Sequence, residues 1–148
     1  MQRSQEDFVS LVRNFVAAHP LATLATVNPS GEPEAACVVV VLLDDHTLKL
    51  GFSTLEGIYR KYRYLKENPC VAIVFFGHEN ATVQYEGVAT EVGQEGQVRD
   101  RLEDETQDDS GQFSRMPEAR FFEVAPRWIR YSHFKDNQPP FDIEEWSF

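Results

Sequence analysis

A chain of 148 residues with 24 acidic and 14 basic side chains carries a formal charge of -10 at pH 7. That balance disfavours general affinity for nucleic acid or an anionic bilayer, so any anion must bind at a local patch. Hydrophobic residues at 42% and charged ones at 26% are ordinary globular usage, which excludes wholesale disorder and leads us to expect one domain over residues 1–148.

The opening residues MQRSQEDFVS lack a basic segment followed by a long apolar run, and no apolar stretch nears the roughly 18 residues of a membrane span. A cytoplasmic protein is expected. Ser4 with Asp7 resembles a capping box, and Phe8, Leu11, Val12, Phe15 and Val16 follow at helical spacing, which predicts an amphipathic helix ending near His19-Pro20. Residues 21–27 and 34–43 read as a β-hairpin around the turn residues 28–33. Because residues 38–43 are apolar without alternation, that strand is expected to be covered on both faces, by the core and by a partner subunit or ligand.

Asp44-Asp45-His46 predicts a turn and residues 47–53 a third strand. The next stretch, residues 52–69, holds Arg60, Lys61, Arg63 and Lys66, four of the fourteen bases within seven residues. Hydroxyls at a strand end, the amides of a helix start and nearby positive charge are what a phosphate requires, so we expect an anion site here. The alternative is a solvated helix face. Within the helix, Ile58, Tyr62 and Leu65 are predicted to share one face, and Tyr59, Arg63 and Lys66 another.

Residues 70–76 and 81–92 read as strands four and five, separated by a turn at 77–80. Val98 and Leu102 give a thin apolar stripe to an otherwise acidic segment, residues 95–109. An exposed helix of about ten residues running into a mobile loop over 106–111 is expected, and no chemistry is assigned to it. Residues 120–126 and 127–131 read as a final strand, or a pair broken at Pro126. In the acidic tail from Lys135, the aromatic and apolar residues Phe141, Ile143, Trp146 and Phe148 are candidates for docking on a surface or partner. Cys37 and Cys70 form no CxxC pair and sit in apolar runs, which suggests buried, reduced thiols.

Six or so strands joined by short turns predict a mainly β protein built as a small antiparallel barrel with flanking helices. His19, His46, His78 and His133 have no metal-ligand spacing, and no G-x-S-x-G or Walker A stretch is present. No metal site and no catalytic side chain is expected; if there is chemistry, a cofactor carries it.

The order of parts from LATLATVNPSGEPEAACVVV through Phe52-Ser53-Thr54 and the basic helix to Asn68-Pro69-Cys70-Val71-Ala72-Ile73, with QYEGVA and FEVAPRWIRY later, resembles the pyridoxamine 5'-phosphate oxidase-like family of FMN-binding split barrels. The resemblance implies a six-stranded, Greek-key split barrel that forms a homodimer, with FMN at the subunit interface and a small-molecule substrate. It implies that Ser53 and Thr54 bond the FMN phosphate, that Lys61 with Arg60 beside it supplies positive charge, and that Val38, Val39 and Val40 face the ring. Gln84 and Trp128 complete the candidate cofactor-binding set, Trp128 by stacking with Arg130 near it.

Tyr59 stands where the family usually has Ser. Ala36, Val41, Ala81 and Thr82 replace the charged and polar contacts of the vitamin B6 enzyme, whose C-terminal Arg-Leu-His motif is also missing. A broader flavin reductase or oxidoreductase role is therefore expected. The alternatives are a non-enzymatic dimer holding flavin, haem or a deazaflavin for storage or sensing, and a barrel with no cofactor.

Overall fold

The computed structural model describes residues 3–78, 80–105, 113–134 and 138–148. The expected loop over 106–111, Glu79 of the 77–80 turn and the first residues of the tail, 135–137, lie outside the described residues. The chain runs α1 (Gln5–Ala18), β1 (Leu21–Val27), β2 (Pro33–Val39), β3 (Val41–Leu42), β4 (Leu50–Leu55), α2 (Lys61–Glu67), β5 (Cys70–Phe76), β6 (Ala81–Val92), α3 (Gln97–Glu105), β7 (Ala119–His133) and β8 (Asp142–Ser147).

One antiparallel sheet in the order β2-β1-β5-β6-β7-β4-β3, with β8 on the far half of β7, curls into a split barrel. The mainly β expectation holds, with eight strands among the described residues rather than six. The first and last strands of the path are parts of one run of chain. The apolar stretch expected as a single strand over 34–43 is interrupted at Val40, whose N–H donates to the Pro20 carbonyl at 2.8 Å. Up to Val39 the run pairs with β1; beyond Val40 it pairs with β4.

Local chemistry accounts for most boundaries. Ser4 Oγ accepts the Asp7 N–H at 3.1 Å and caps α1, which buries Phe8, Val12 and Val16. Asn28 Oδ1 accepts the N–H groups of Ser30 and Glu32, with Gly31 at φ 82° closing the hairpin turn. The third strand begins later than predicted, at Leu50. Asp44 accepts from the N–H groups of His46 and Thr47, and Leu48 then takes φ 60°, so the turn consumes the residues assigned to the strand. The carbonyl of this unusual Leu48 accepts the buried Tyr85 hydroxyl at 3.1 Å, and burial pushes that phenol far above its ordinary pKa.

Pro126 does not break the last strand. β7 runs through it for 15 residues, because the register with β6 slips between Glu86 and Gly87, setting Gly87 opposite Pro126. A Cβ on Gly87 would lie 2.5 Å from the Ala125 carbonyl oxygen, so only glycine allows the two strands to approach at the bulge.

The main core gathers α1 and the inward faces of the barrel around Phe52, Phe75, Tyr85, Phe122 and Ile129. A second, smaller core joins Val41, Leu43, Leu55, Ala119 and Phe121 to Val98 and Leu102 of α3. The apolar stripe of α3 is thus a packing surface, while its other faces remain polar. In the tail, β8 seats Trp146 against Phe8 with ring centroids 5.4 Å apart, whereas Phe141, Ile143 and Phe148 stay exposed.

Two further expectations need correction. Cys37 and Cys70 are free and exposed, because strand alternation sends their neighbours Val38 and Val71 inward and the thiols outward. The basic segment also becomes helical only at Lys61; residues 56–60 form a turn in which Gly57 takes φ 81°. Ile58 therefore lies outside the helix and is exposed. Among the described residues no helix is long and apolar enough to cross a membrane.

Candidate functional site

β4 ends at Leu55, and the turn after it carries the chain past the open edge of β2. These parts, with the end of α3 and the residues before β7, enclose a cavity of about 300 Å³. Its lining includes Val38 and Val39 of β2, Ser53 and Thr54 of β4, Tyr59 and Lys61. Five of the residues selected from sequence are thereby brought together.

Lys61 is only 8% exposed. Its Nζ stands 4.5 Å from the centroid of the Tyr59 ring, and among the described residues it makes no ion pair. Burial pushes the ammonium below the usual lysine range, and the charge of Glu34 works in the opposite sense. Thr54 is buried as well, and its Oγ1 has no hydrogen-bond partner among the described residues. An unpaired buried hydroxyl and a desolvated ammonium in the wall of one cavity are each costly unless a ligand acceptor satisfies them. A phosphate is suited to that task. α2 is short, seven residues, and Arg60 makes no side-chain cap bond at its start.

Four selected residues lie elsewhere. Val40 is 1% exposed and packs in the main core. Arg60 extends into solvent and pairs with Glu34 at 3.0 Å. Gln84 and Trp128 sit on the outer face of the sheet, in a shallow groove of about 220 Å³ with Thr23, Ala25, Ala72 and Val74. There the Arg130 guanidinium lies 5.2 Å from the Trp128 ring. This groove and the cavity share no lining residue.

Sequence reasoning passed over Glu34, Leu102, Phe113 and Ser114, all in the cavity wall. The spacing of Val98 and Leu102 gave a signal for α3 as a packed helix. Ser114 is 4% exposed and had none, because it stands in a short turn with no periodic pattern. Among the described residues no cluster of three or more potential metal ligands occurs.

The outer sheet face has a distinctive composition. Two cross-strand rows run over β2, β1, β5, β6 and β7: Ala35, Ala25, Ala72, Glu86 and Trp128 in one, and Cys37, Thr23, Val74, Gln84 and Arg130 in the other. Leu21 and Phe76, 62% and 71% exposed, flank them.

A sequence model of a family described as pyridoxamine 5'-phosphate oxidase matches residues 9–133. No curated protein matches the sequence. Among solved structures, Campylobacter jejuni ChuZ superposes with a TM-score of 0.74 at 16% identity, over 89% of this chain and 58% of that one. A haem-binding protein from Mycobacterium smegmatis gives 0.76 at 18% identity, over 99% of this chain and 59% of that one. A Clostridium acetobutylicum protein related to general stress protein 26, of the pyridoxinephosphate oxidase family, gives 0.70 at 16% identity over 97% and 96%. The chain thus spans little more than half of the first two proteins, and at these identities the likeness is one of fold.

Proposed function

Because the chain belongs to the pyridoxamine 5'-phosphate oxidase family, we propose that it binds FMN in the cavity beside β4 and serves as an oxidoreductase or flavin reductase for a small molecule. The observation that carries the reading is the presence of the orphaned Thr54 hydroxyl and the buried Lys61 ammonium in the wall of one cavity. Ser53 and Thr54 would donate to phosphate oxygens, and Lys61 would add a charge-assisted bond. The unpaired edge of β2 at Val38 and Val39 would offer backbone groups to the ring. Bound FMN would supply hydride or electron transfer; the chain's part is to anchor, orient and exclude water.

The reading includes a homodimer. A sheet face that carries Ala25, Ala35, Ala72, Thr23 and Val74, flanked by exposed Leu21 and Phe76, suits a second copy of the chain. A partner's Gln84 and Trp128 could then approach a cavity that this protomer's own do not line. Exposed free thiols suit the reducing cytoplasm. Ala72→Arg, at the centre of one cross-strand row, is expected to convert a particle of twice the 17.0 kDa chain mass into monomer, with FMN affinity falling at least about tenfold. Sedimentation reads the mass; a wild-type monomer would remove the dimer from the proposal.

The primary test is the purified protein itself. A yellow preparation that releases FMN on denaturation supports the reading; a colourless protein that binds no added FMN defeats it. Haem is the second reading, favoured by the fold shared with the mycobacterial haem-binding protein. A Soret band after haem addition would support it, although no histidine lines the cavity.

The depressed Lys61 pKa adds a pH signature. A bound phosphate favours the ammonium, so binding takes up a proton once free Lys61 has begun to titrate, and affinity falls as pH rises through that lowered pKa. FMN affinity is therefore expected to decline starting below the ordinary lysine value of 10.5. Riboflavin, which has no phosphate, should lack this component, and Lys61→Arg should remove it. Parallel curves for FMN and riboflavin would exclude Lys61 from the phosphate site.

A further inference from the structure

Lys61 and Glu34 are the two charged side chains among the described residues of the cavity wall, and they act on an arriving phosphate in opposite senses. Lys61 attracts it; Glu34 repels it. Glu34 lies near the start of β2, opposite Thr26 of β1, and its charge reaches the Lys61 ammonium while its ion pair is made elsewhere. A phosphate monoester is nearly doubly charged at neutral pH, so a bare carboxylate in the same desolvated wall would weaken its binding.

The carboxylate is not bare. Arg60 meets it at 3.0 Å and does so from outside, since 69% of the arginine side chain is exposed and Arg60 borders the neighbouring depression beside α2 instead of the cavity. Because Arg60 directly precedes Lys61, one short stretch of chain supplies both the cation that faces the ligand and the cation that faces the competing anion. As a stabilising contact so exposed a pair contributes little. Its larger effect is on the cavity, where Glu34, 27% exposed, is the more buried partner and its neutralisation leaves the Lys61 charge unopposed.

We propose that Arg60 is a positioning residue of the phosphate site that acts through Glu34: it makes no bond to the ligand, and its ion pair holds and neutralises a carboxylate that otherwise opposes the ligand's charge. The proposal rests on the flavin reading of the cavity and names the pair that sets its preference for a phosphorylated flavin over an unphosphorylated one. With the pair intact, the wall presents the charge of Lys61. Without Arg60 that charge is opposed by Glu34, and FMN loses most of its margin over riboflavin.

The test is calorimetric titration of the purified, cofactor-stripped protein with FMN and with riboflavin, for wild type, Arg60→Gln, Glu34→Gln and the double variant. Arg60→Gln is expected to weaken FMN binding at least about fivefold, with riboflavin affinity and the thermal midpoint unchanged. Glu34→Gln alone should bind FMN no more weakly than wild type, and added to Arg60→Gln it should restore wild-type affinity or better. A direct bond from Arg60 to the phosphate cannot give that rescue. A double variant as weak as Arg60→Gln therefore overturns the proposal, as does weaker FMN binding in Glu34→Gln or unchanged FMN binding in Arg60→Gln. A parallel loss of riboflavin also overturns it, because the pair is then a structural brace of the cavity. Each of these results leaves FMN in the cavity; if wild type binds neither flavin, the proposal and the flavin reading fall together.

Discussion

Replacing Lys61 with methionine is expected to weaken FMN binding by about 1.5–3 kcal/mol, roughly 10- to 150-fold, without destabilising the protein. The loss follows from removal of a charge-assisted bond in a desolvated site. The retained stability follows from linkage. A lysine whose folded pKa lies below 10.5 binds fewer protons folded than unfolded between those two values, so stability rises with pH across that window. At neutral pH both states are protonated and the fold carries the full desolvation penalty. Methionine removes the penalty, keeps the apolar stem and still packs against Tyr59. Chemical denaturation and FMN titration of the same variant should therefore move apart, with binding lower and the midpoint equal or higher. A midpoint that falls with affinity would mean that Lys61 is a structural residue.

Phe122→Ala should have the largest effect on stability, about 3–5 kcal/mol. Phe122 is 1% exposed and lies parallel to Phe52 across β4 and β7, at 5.4 Å between centroids. The ring edge of Tyr62 in α2 meets it at 5.9 Å. The Tyr62 hydroxyl in turn donates to Glu91, which also holds Lys66. One aromatic side chain thus supports the sheet and seats the helix that begins with Lys61. Phe122→Leu, closer in volume, should cost less than about 1.5 kcal/mol. An alanine variant within about 1 kcal/mol of wild type would show that Tyr62 and Phe52 can close the gap, and that α2 is held by other contacts.

The parts of this fold written in local chemistry could be read from the chain. The Ser4 cap, the Asn28 turn and the stripe of Val98 and Leu102 act over four residues or fewer, and each structural element they predict is present. Alternatives stayed open, and errors arose, where a distant strand decides the outcome. Pro126 suggests a break until Gly87 is found opposite it. The apolar neighbourhoods of Cys37 and Cys70 suggested burial, but alternation divides each run between the core and the outer sheet face. At the site, Ser53, Thr54 and Lys61 were legible because a strand end and a charge cluster adjoin in sequence. Ser114 and Glu34 were not, since only the curl of the sheet brings a turn before β7 and the edge of β2 to the same cavity.

The interruption at Val40 has a kinetic meaning. Closing a barrel normally requires two ends of a sheet, far apart along the chain, to find one another, and the entropy of that search grows with the intervening length. Here β2 and β3 are neighbours through a single residue, so the sheet's two margins start out together. The slow steps in assembly should be the long-range pairings of β1 with β5 and of β4 with β7, while the seam itself closes at almost no entropic cost.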